Sequence, residues 1–237
     1  MSQYFEVHPD NPQPRLLKQA AQILHGGGVV AIPTDSSYAL VCHLDDKAAA
    51  EALRRIRGVD DKHHLTLLCR DLSELASYAR VDNRQYRLLK LGTPGPFTFI
   101  LEATKEVPRR LSHPSRRTIG LRVPDHAVTQ ALLEQMGQPL IATTLIAPGE
   151  HEPMNDPHEI RERFQKLLQA VVDAGACPME PTTVSVSRII AWPPRTMASL
   201  TTVMSLVKRE TSLPGSSRWW RAKSAIMSLA NIAPWRS

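Results

Sequence analysis

The chain has 237 residues, 42% hydrophobic and 22% charged, with 29 lysines and arginines against 23 aspartates and glutamates for a net charge of +6. Such a composition describes a soluble globular domain, or one domain plus a tail, long enough to bury a core without disulfide or metal staples. No run approaches the roughly 18 apolar residues of a membrane span, the first residues lack a signal-peptide pattern, and Cys42, Cys69 and Cys177 form neither a metal spacing nor a disulfide framework, which excludes secreted, membrane and zinc-finger classes and leaves a cytoplasmic protein as the expectation.

In chain order, Pro14 opens a helical pattern with Leu16, Leu17, Ala20, Ala21, Ile23 and Leu24 on one face, ended by three glycines at 26–28. Residues 29–33, apolar and β-branched between Gly and Pro, predict a buried strand. A helix is expected over 47–57 behind Asp45-Asp46, a strand over 65–69, and a helix from Asp71, where Asp71 and Glu74 have the spacing of a capping box. Further expectations are a helix over 83–91, a strand over 97–101, a strand over 118–123, a helix over 125–136, a strand over 139–144 and one long helix over 156–172. Alternating strands and helices point to an α/β (α+β) fold with a mixed sheet.

After Val184 the character changes. Residues 185–237 contain eight basic residues, one acid (Glu210) and all four tryptophans, which leaves residues 1–184 with a net charge of −1. The expected division is therefore a folded domain over 1–184 and a basic, Trp- and Ser-rich tail over 185–237, poor in acids as a disordered segment or one read in a shifted frame would be. Because the positive charge belongs to the tail, it does not mark the folded body as a nucleic-acid binder.

Three segments carry chemistry. Pro33-Thr34-Asp35-Ser36-Ser37-Tyr38 follows a buried strand directly, and hydroxyls and a carboxylate at a strand end suit a small polar ligand; by themselves the same residues more often make a polar loop capping its own turn. Arg55 and Arg57 end the second helix, where guanidinium groups grip phosphate or balance the helix dipole. Thr118, Gly120 and Arg122 alternate along one strand, so a hydroxyl and a guanidinium project from the same face. His63-His64 reads as a solvated loop, since adjacent histidines do not easily face one metal ion. No P-loop, GxGxxG, GxSxG or HExxH pattern is present in the sequence.

Residues 31–40 (AIPTDSSYAL), 93–100 (TPGPFTFI), 118–124 (TIGLRVP) and 181–184 (PTTV) resemble, in order and spacing, the signature segments of the YrdC/YciO family. Residues 8–13, 69–75 and 105–111 resemble its YciO branch in particular, and the similarity covers about residues 1–184. The resemblance implies a YrdC-like twisted mixed sheet with flanking helices around a central cavity. It also implies nucleotide and threonine binding related to threonylcarbamoyl-AMP synthesis from threonine, bicarbonate and ATP with Mg2+, in the metabolism of N6-threonylcarbamoyladenosine in tRNA. Carried over by position, Thr34, Arg122 and Thr182 would hold threonine, Arg55, Arg57, Thr118 and Thr144 the nucleotide, and Tyr38 would line the cavity, with no tightly bound metal. Members of the family also bind double-stranded RNA or tRNA, which gives a second expected partner. Three positions depart from the synthase pattern: Arg55-Ile56-Arg57 replaces Lys-x-Arg, Thr144-Leu145-Ile146 replaces Ser-x-Asn, and Val41 replaces a glycine. Arginine is not a compact point charge like lysine, so the first of these puts synthase chemistry in question.

Overall fold

A computed structural model describes residues 2–60, 63–112 and 117–178, and the backbone of 183–186. The sheet comprises ten strands among the described residues: β1 (Gln3–Glu6), β2 (Val30–Ile32), β3 (Ala39–His43), β4 (Thr66–Leu68), β5 (Ala79–Arg80), β6 (Phe97–Ala103), β7 (Thr118–Arg122), β8 (Leu140–Thr144), β9 (Ala170–Asp173) and β10 (Thr183–Val186). Their order is β1-β9-β2-β3-β8-β4-β7-β6-β10, with β5 paired to β6. Parallel pairs (β1·β9, β2·β9, β4·β7, β6·β10) and antiparallel pairs (β2·β3, β3·β8, β4·β8, β6·β7, β5·β6) are both present, so the sheet is mixed, as the alternation of elements predicts.

Among the described residues, five helices flank this sheet in one compact unit: α1 (Pro14–His25), α2 (Lys47–Arg57), α3 (Leu72–Tyr78), α5 (Ala127–Met136) and α6 (Pro157–Phe164). A further helix, α4 (Asn83–Gly92), falls outside that unit, and its first turn is organised by Asp82, whose carboxylate accepts from the Arg84 and Gln85 N–H groups.

Alternation along the strands divides the apolar residues between two faces. One face carries Phe5, Val30, Ile32, Val41, Leu68, Leu140, Ala142, Ala170 and Val172, and these form a single core cluster with Leu17, Ala20, Ala21 and Leu24 of α1 and Val128, Leu132, Leu133 and Met136 of α5. Of the stripe read from the sequence on α1, Leu17, Ala20, Ala21 and Leu24 are buried, while Leu16 and Ile23 are partly buried against the cluster. Val41, at the position where the synthase pattern has glycine, is fully buried in this cluster and pairs with Val30 and Ala142. On β7, Gly120 sits where a Cβ atom would come within 3.0 Å of Thr66 Oγ1, so glycine permits the close approach of β4.

Local signals fix several helix starts. Asp46 caps α2 by accepting from the Ala49 N–H at 2.9 Å, and Asp71 caps α3 by accepting from the Glu74 N–H at 2.8 Å. Glu74 accepts in return from the N–H of Arg70, one residue before the cap, at 2.6 Å.

The expected long helix over 156–172 is not formed. Asp156 and Pro157 start α6 as expected, but the helix stops at Phe164, and Ala170–Asp173 is strand β9, held between β1 and β2. Val171 and Val172 are β-branched and fully buried there, and pairing on both sides outweighs the helical pattern leading into them. Besides β9, four strands were not expected: β1, β3, β10 and β5, the last only two residues long. Strand β10 runs to Val186, two residues past the expected end of the folded domain at 184. Thr182, Arg116 and the Trp-rich tail lie outside the described residues.

Candidate functional site

Strand register brings distant segments to one end of the sheet. Ile32, the last residue of β2, pairs with Ala39, the first of β3, and Ala39 pairs with Thr144, the last of β8. The loop 33–38 therefore leaves the sheet beside the end of β8. The Leu145 N–H donates to the Tyr38 carbonyl at 2.9 Å and ties the two exits together. Across β4, Thr118 opens β7 on the same face and at the same end as Thr144, since Gly120 and Ala142 both oppose Thr66.

Within the loop, the Thr34 hydroxyl is engaged by its own turn. It donates to the Ser37 carbonyl at 2.7 Å and accepts from the Ser36 and Ser37 N–H groups at 3.2 and 3.3 Å, a local side-chain turn that buries it. Arg122 reaches this loop from β7. Its guanidinium donates to Asp35 Oδ1 at 2.5 Å and to Ser36 Oγ at 3.0 Å, with the Arg122 and Asp35 side chains only 7% and 11% exposed. The second oxygen, Asp35 Oδ2, is buried without a hydrogen-bond partner among the described residues, as is Nδ1 of His126. His126 precedes α5 and is half-buried; burial pushes its pKa below the ordinary value while Asp35, Asp125 and Asp10 oppose this. Thr129 of α5 donates to the Pro33 carbonyl and fixes the helix over the loop.

Tyr38 is fully buried, and its phenol donates to the Gly175 carbonyl at 2.9 Å in the turn after β9. Burial, with lesser contributions from Cys177, Asp173 and Tyr4, raises its pKa, so the ring is a neutral prop. Cys177 lies beside the Thr34 N–H, and burial pushes its thiol up to about 11. A thiol held protonated is no nucleophile.

At the β8 end, the arginines of α2 separate. Residues two apart on a helix point to different sides, while residues three apart share one. Arg55 is exposed, whereas Arg54 is buried and Arg57 half-buried. Arg57 Nε donates to the Thr144 carbonyl at 3.1 Å. Thr144 and Thr118 are half-buried, and Ile146 is partly buried. The sequence therefore pointed to Arg57 and Thr144 as neighbours, while the partner of Arg57 on its own helix face is Arg54, a position the helical period alone would have indicated.

Sequence reasoning also passed over Asp35 as the partner of Arg122, and His63 and His126 as members of these clusters. Asp35 stood in the hydroxyl loop as a generic polar residue, and nothing local signals a contact with a residue 87 positions away. Among the described residues, no group of three or more His, Cys, Asp or Glu side chains could hold a metal ion, and no helix is long and apolar enough to cross a membrane.

Comparison with known proteins fits this geometry. The family model for Sua5, YciO and YrdC, described as telomere recombination, matches residues 22–195. The chain is 52% identical over 184 residues to the uncharacterized protein YciO of Escherichia coli K12, covering 78% of this chain and 89% of that protein. It is 33% identical over 162 residues to the threonylcarbamoyl-AMP synthase of Homo sapiens, covering 67% of this chain and 56% of that one. Among solved structures, E. coli YciO matches with a TM-score of 0.76 and 51% identity, over 78% of this chain and 90% of that chain. P. abyssi Sua5 complexed with L-threonine shares the fold, with a TM-score of 0.73 and 23% identity over 80% of this chain and 55% of that one. A mixed α/β sheet with hydroxyl and arginine residues gathered at one end, together with these matches, makes the chain a member of the Sua5/YciO/YrdC family, related to the threonylcarbamoyl-AMP synthases.

Proposed function

We propose that the chain binds threonine and ATP at this end of the sheet and forms threonylcarbamoyl-AMP, releasing pyrophosphate and water from threonine, bicarbonate and ATP. The observation that carries the reading is the register Ile32–Ala39–Thr144, which makes the Arg122-bound loop and the Arg57-bound strand end neighbours. One half offers hydroxyls and a guanidinium to an amino acid: Thr34 and Arg122, with Thr182 as the third member and Tyr38 supporting the loop. The other offers Arg57, Thr118 and Thr144 to the nucleotide, with exposed Arg55 at its rim. Such a reaction needs two anions aligned and the charge on the transferred adenylyl group stabilised, which fixed cationic groups supply. Magnesium enters with ATP as the counter-ion of its phosphates and belongs to the substrate. The synthase relatives and the threonine complex of P. abyssi Sua5 support the assignment of ligands, and the product serves tRNA modification in the cytoplasm.

The test is pyrophosphate release by the full chain. Release that needs both threonine and bicarbonate, and falls at least about 100-fold in Arg57→Ala, a loss of about 2.7 kcal/mol of transition-state stabilisation, is the expected result. A folded protein that releases none overturns the reading.

A second reading, binding of double-stranded RNA or tRNA, is favoured by the exposed arginines Arg55, Arg109 and Arg117. Affinity for tRNA that falls steeply with salt, without pyrophosphate release, would select it.

A further inference from the structure

Strand β9 ends in an acid that sheet pairing does not explain. Asp173 stands directly beside Glu6 of β1, and like charges on neighbouring strands repel. Both of its carboxylate oxygens are nonetheless engaged. Oδ2 accepts from the Tyr4 hydroxyl at 2.7 Å, and Oδ1 accepts from the Gly175 N–H at 2.7 Å. Gly175 has a φ of +88°, so the Asp173 side chain closes a turn that needs glycine to leave the sheet. Tyr4 is set for this contact by α6: the Arg161 guanidinium lies 4.6 Å from its ring centroid, and His158 Nδ1 is 3.3 Å from its hydroxyl. Burial first, and then the contact with Asp173, raises the pKa of Tyr4, so the hydroxyl remains a donor.

The other side of this turn meets the loop 33–38. Strand β9 runs parallel to β2, with Val171 opposite Ala31, so the turn and the loop leave adjacent strands at the same end. The Gly175 carbonyl accepts from the Tyr38 hydroxyl at 2.9 Å. The Tyr38 and Cys177 N–H groups donate to the successive carbonyls of Met154 and Asn155, each at 3.1 Å, and Cys177 is buried beside the Thr34 N–H. One chain of hydrogen bonds therefore runs from Tyr4 through Asp173 and Gly175 to Tyr38.

We propose that Asp173 is a positioning residue for the loop 33–38: by closing the turn 173–177 it fixes the Tyr38 phenol and the surroundings of Thr34, and holds the loop in the conformation that receives an amino acid. The ligand in this statement rests on the reading that Thr34 and Arg122 hold threonine, whereas the clamp rests on the hydrogen bonds of the fold. Asp173 acts through the turn rather than on the ligand. It keeps the receptive conformation populated, and apparent affinity falls in proportion to the fraction of molecules that hold it.

Amide hydrogen exchange of the full chain tests this, read over residues 33–38 against residues 47–57 of α2 as internal reference, together with calorimetric titration by L-threonine and by ATP. Asp173→Ala leaves the Gly175 N–H and the Tyr4 hydroxyl without their acceptor, and exchange over 33–38 should rise at least about tenfold relative to 47–57. Affinity for L-threonine should fall about tenfold while that for ATP is unchanged, a split that a general loss of stability does not produce. Asp173→Asn still accepts from Gly175 through its amide oxygen and donates to the Tyr4 oxygen, so it should restore both readouts. Tyr4→Phe keeps the ring under Arg161 and removes one hydrogen bond; its exchange over 33–38 should rise about threefold, and it carries the comparison if Asp173→Ala does not fold. Exchange over 33–38 equal to wild type in the folded variant overturns the proposal, as do an equal rise over 47–57, an equal fall in both affinities, a threonine affinity that Asp173→Ala leaves unchanged, and an Asp173→Asn that behaves like Asp173→Ala. Faster exchange over 33–38 in a chain that binds no L-threonine keeps the clamp and defeats the amino-acid reading alone; threonine-dependent pyrophosphate release with unchanged exchange defeats the clamp alone.

Discussion

Arg122 donates to Asp35 inside the protein, and both side chains have left water to do so. A buried pair of this kind adds little net stability over apolar residues, but removing one partner strands the other charge. Asp35→Asn should therefore cost about 3 kcal/mol, read as a shift in urea midpoint at unchanged slope. His126 adds a pH dependence of known sign. Its pKa in the folded protein lies below the ordinary 6.5, so on acidification the unfolded chain takes up the proton first. Stability is then full above about pH 7 and is lost as pH falls from the unfolded-state value toward the folded one. The drop in melting temperature between pH 7.5 and 5.5 should be smaller in His126→Gln than in the wild type; an equal or larger drop would show that His126 does not titrate this way. Thr34 carries the opposite lesson, because its hydroxyl serves its own turn before it serves any ligand.

At the scale of elements, helix starts were legible and strand partners were not. Asp46 before an alanine-rich run announces α2, and the structure uses it as the cap. Asp46→Ala should destabilise the protein by about 1 kcal/mol, measurable by urea unfolding, since the Ala49 N–H loses its acceptor. The end of α6 was not legible: residues 156–172 have enough apolar residues at helical spacing to suggest one helix, and only the slot between β1 and β2 makes Ala170–Asp173 a strand. Likewise Arg55 and Arg57 attract notice by sequence proximity, although a helix turns them apart and joins Arg57 to Arg54. Strand β3 escaped notice because its residues continue a hydroxyl-rich loop, and its identity rests on pairing with β2 and β8.

For the whole molecule, charge and ligand chemistry separate. The eight basic residues and single acid after Val186 lie outside the described residues, and the sequence up to Val186 has a net charge of −1. If RNA affinity is electrostatic, that segment, with the excess of positive charge, should add to whatever Arg55, Arg109 and Arg117 supply. Replacing its eight basic residues by Gln should flatten the dependence of log K on log salt for tRNA and leave pyrophosphate release unchanged. An unchanged slope would place the RNA contacts on the arginines of the folded body.

The sequence by itself determined the class of fold, the amphipathic α1, the existence of α5, the capped starts of α2 and α3, and the family, because periodicity, caps and short signature segments are local properties of the chain. Tertiary structure alone decided that Asp35 meets Arg122, that His63 meets Thr143, and that the loop after β2 and the end of β8 leave the sheet side by side. Those contacts follow from the register of strands far apart in sequence, and a shift of one residue in any pair would turn each side chain to the other face.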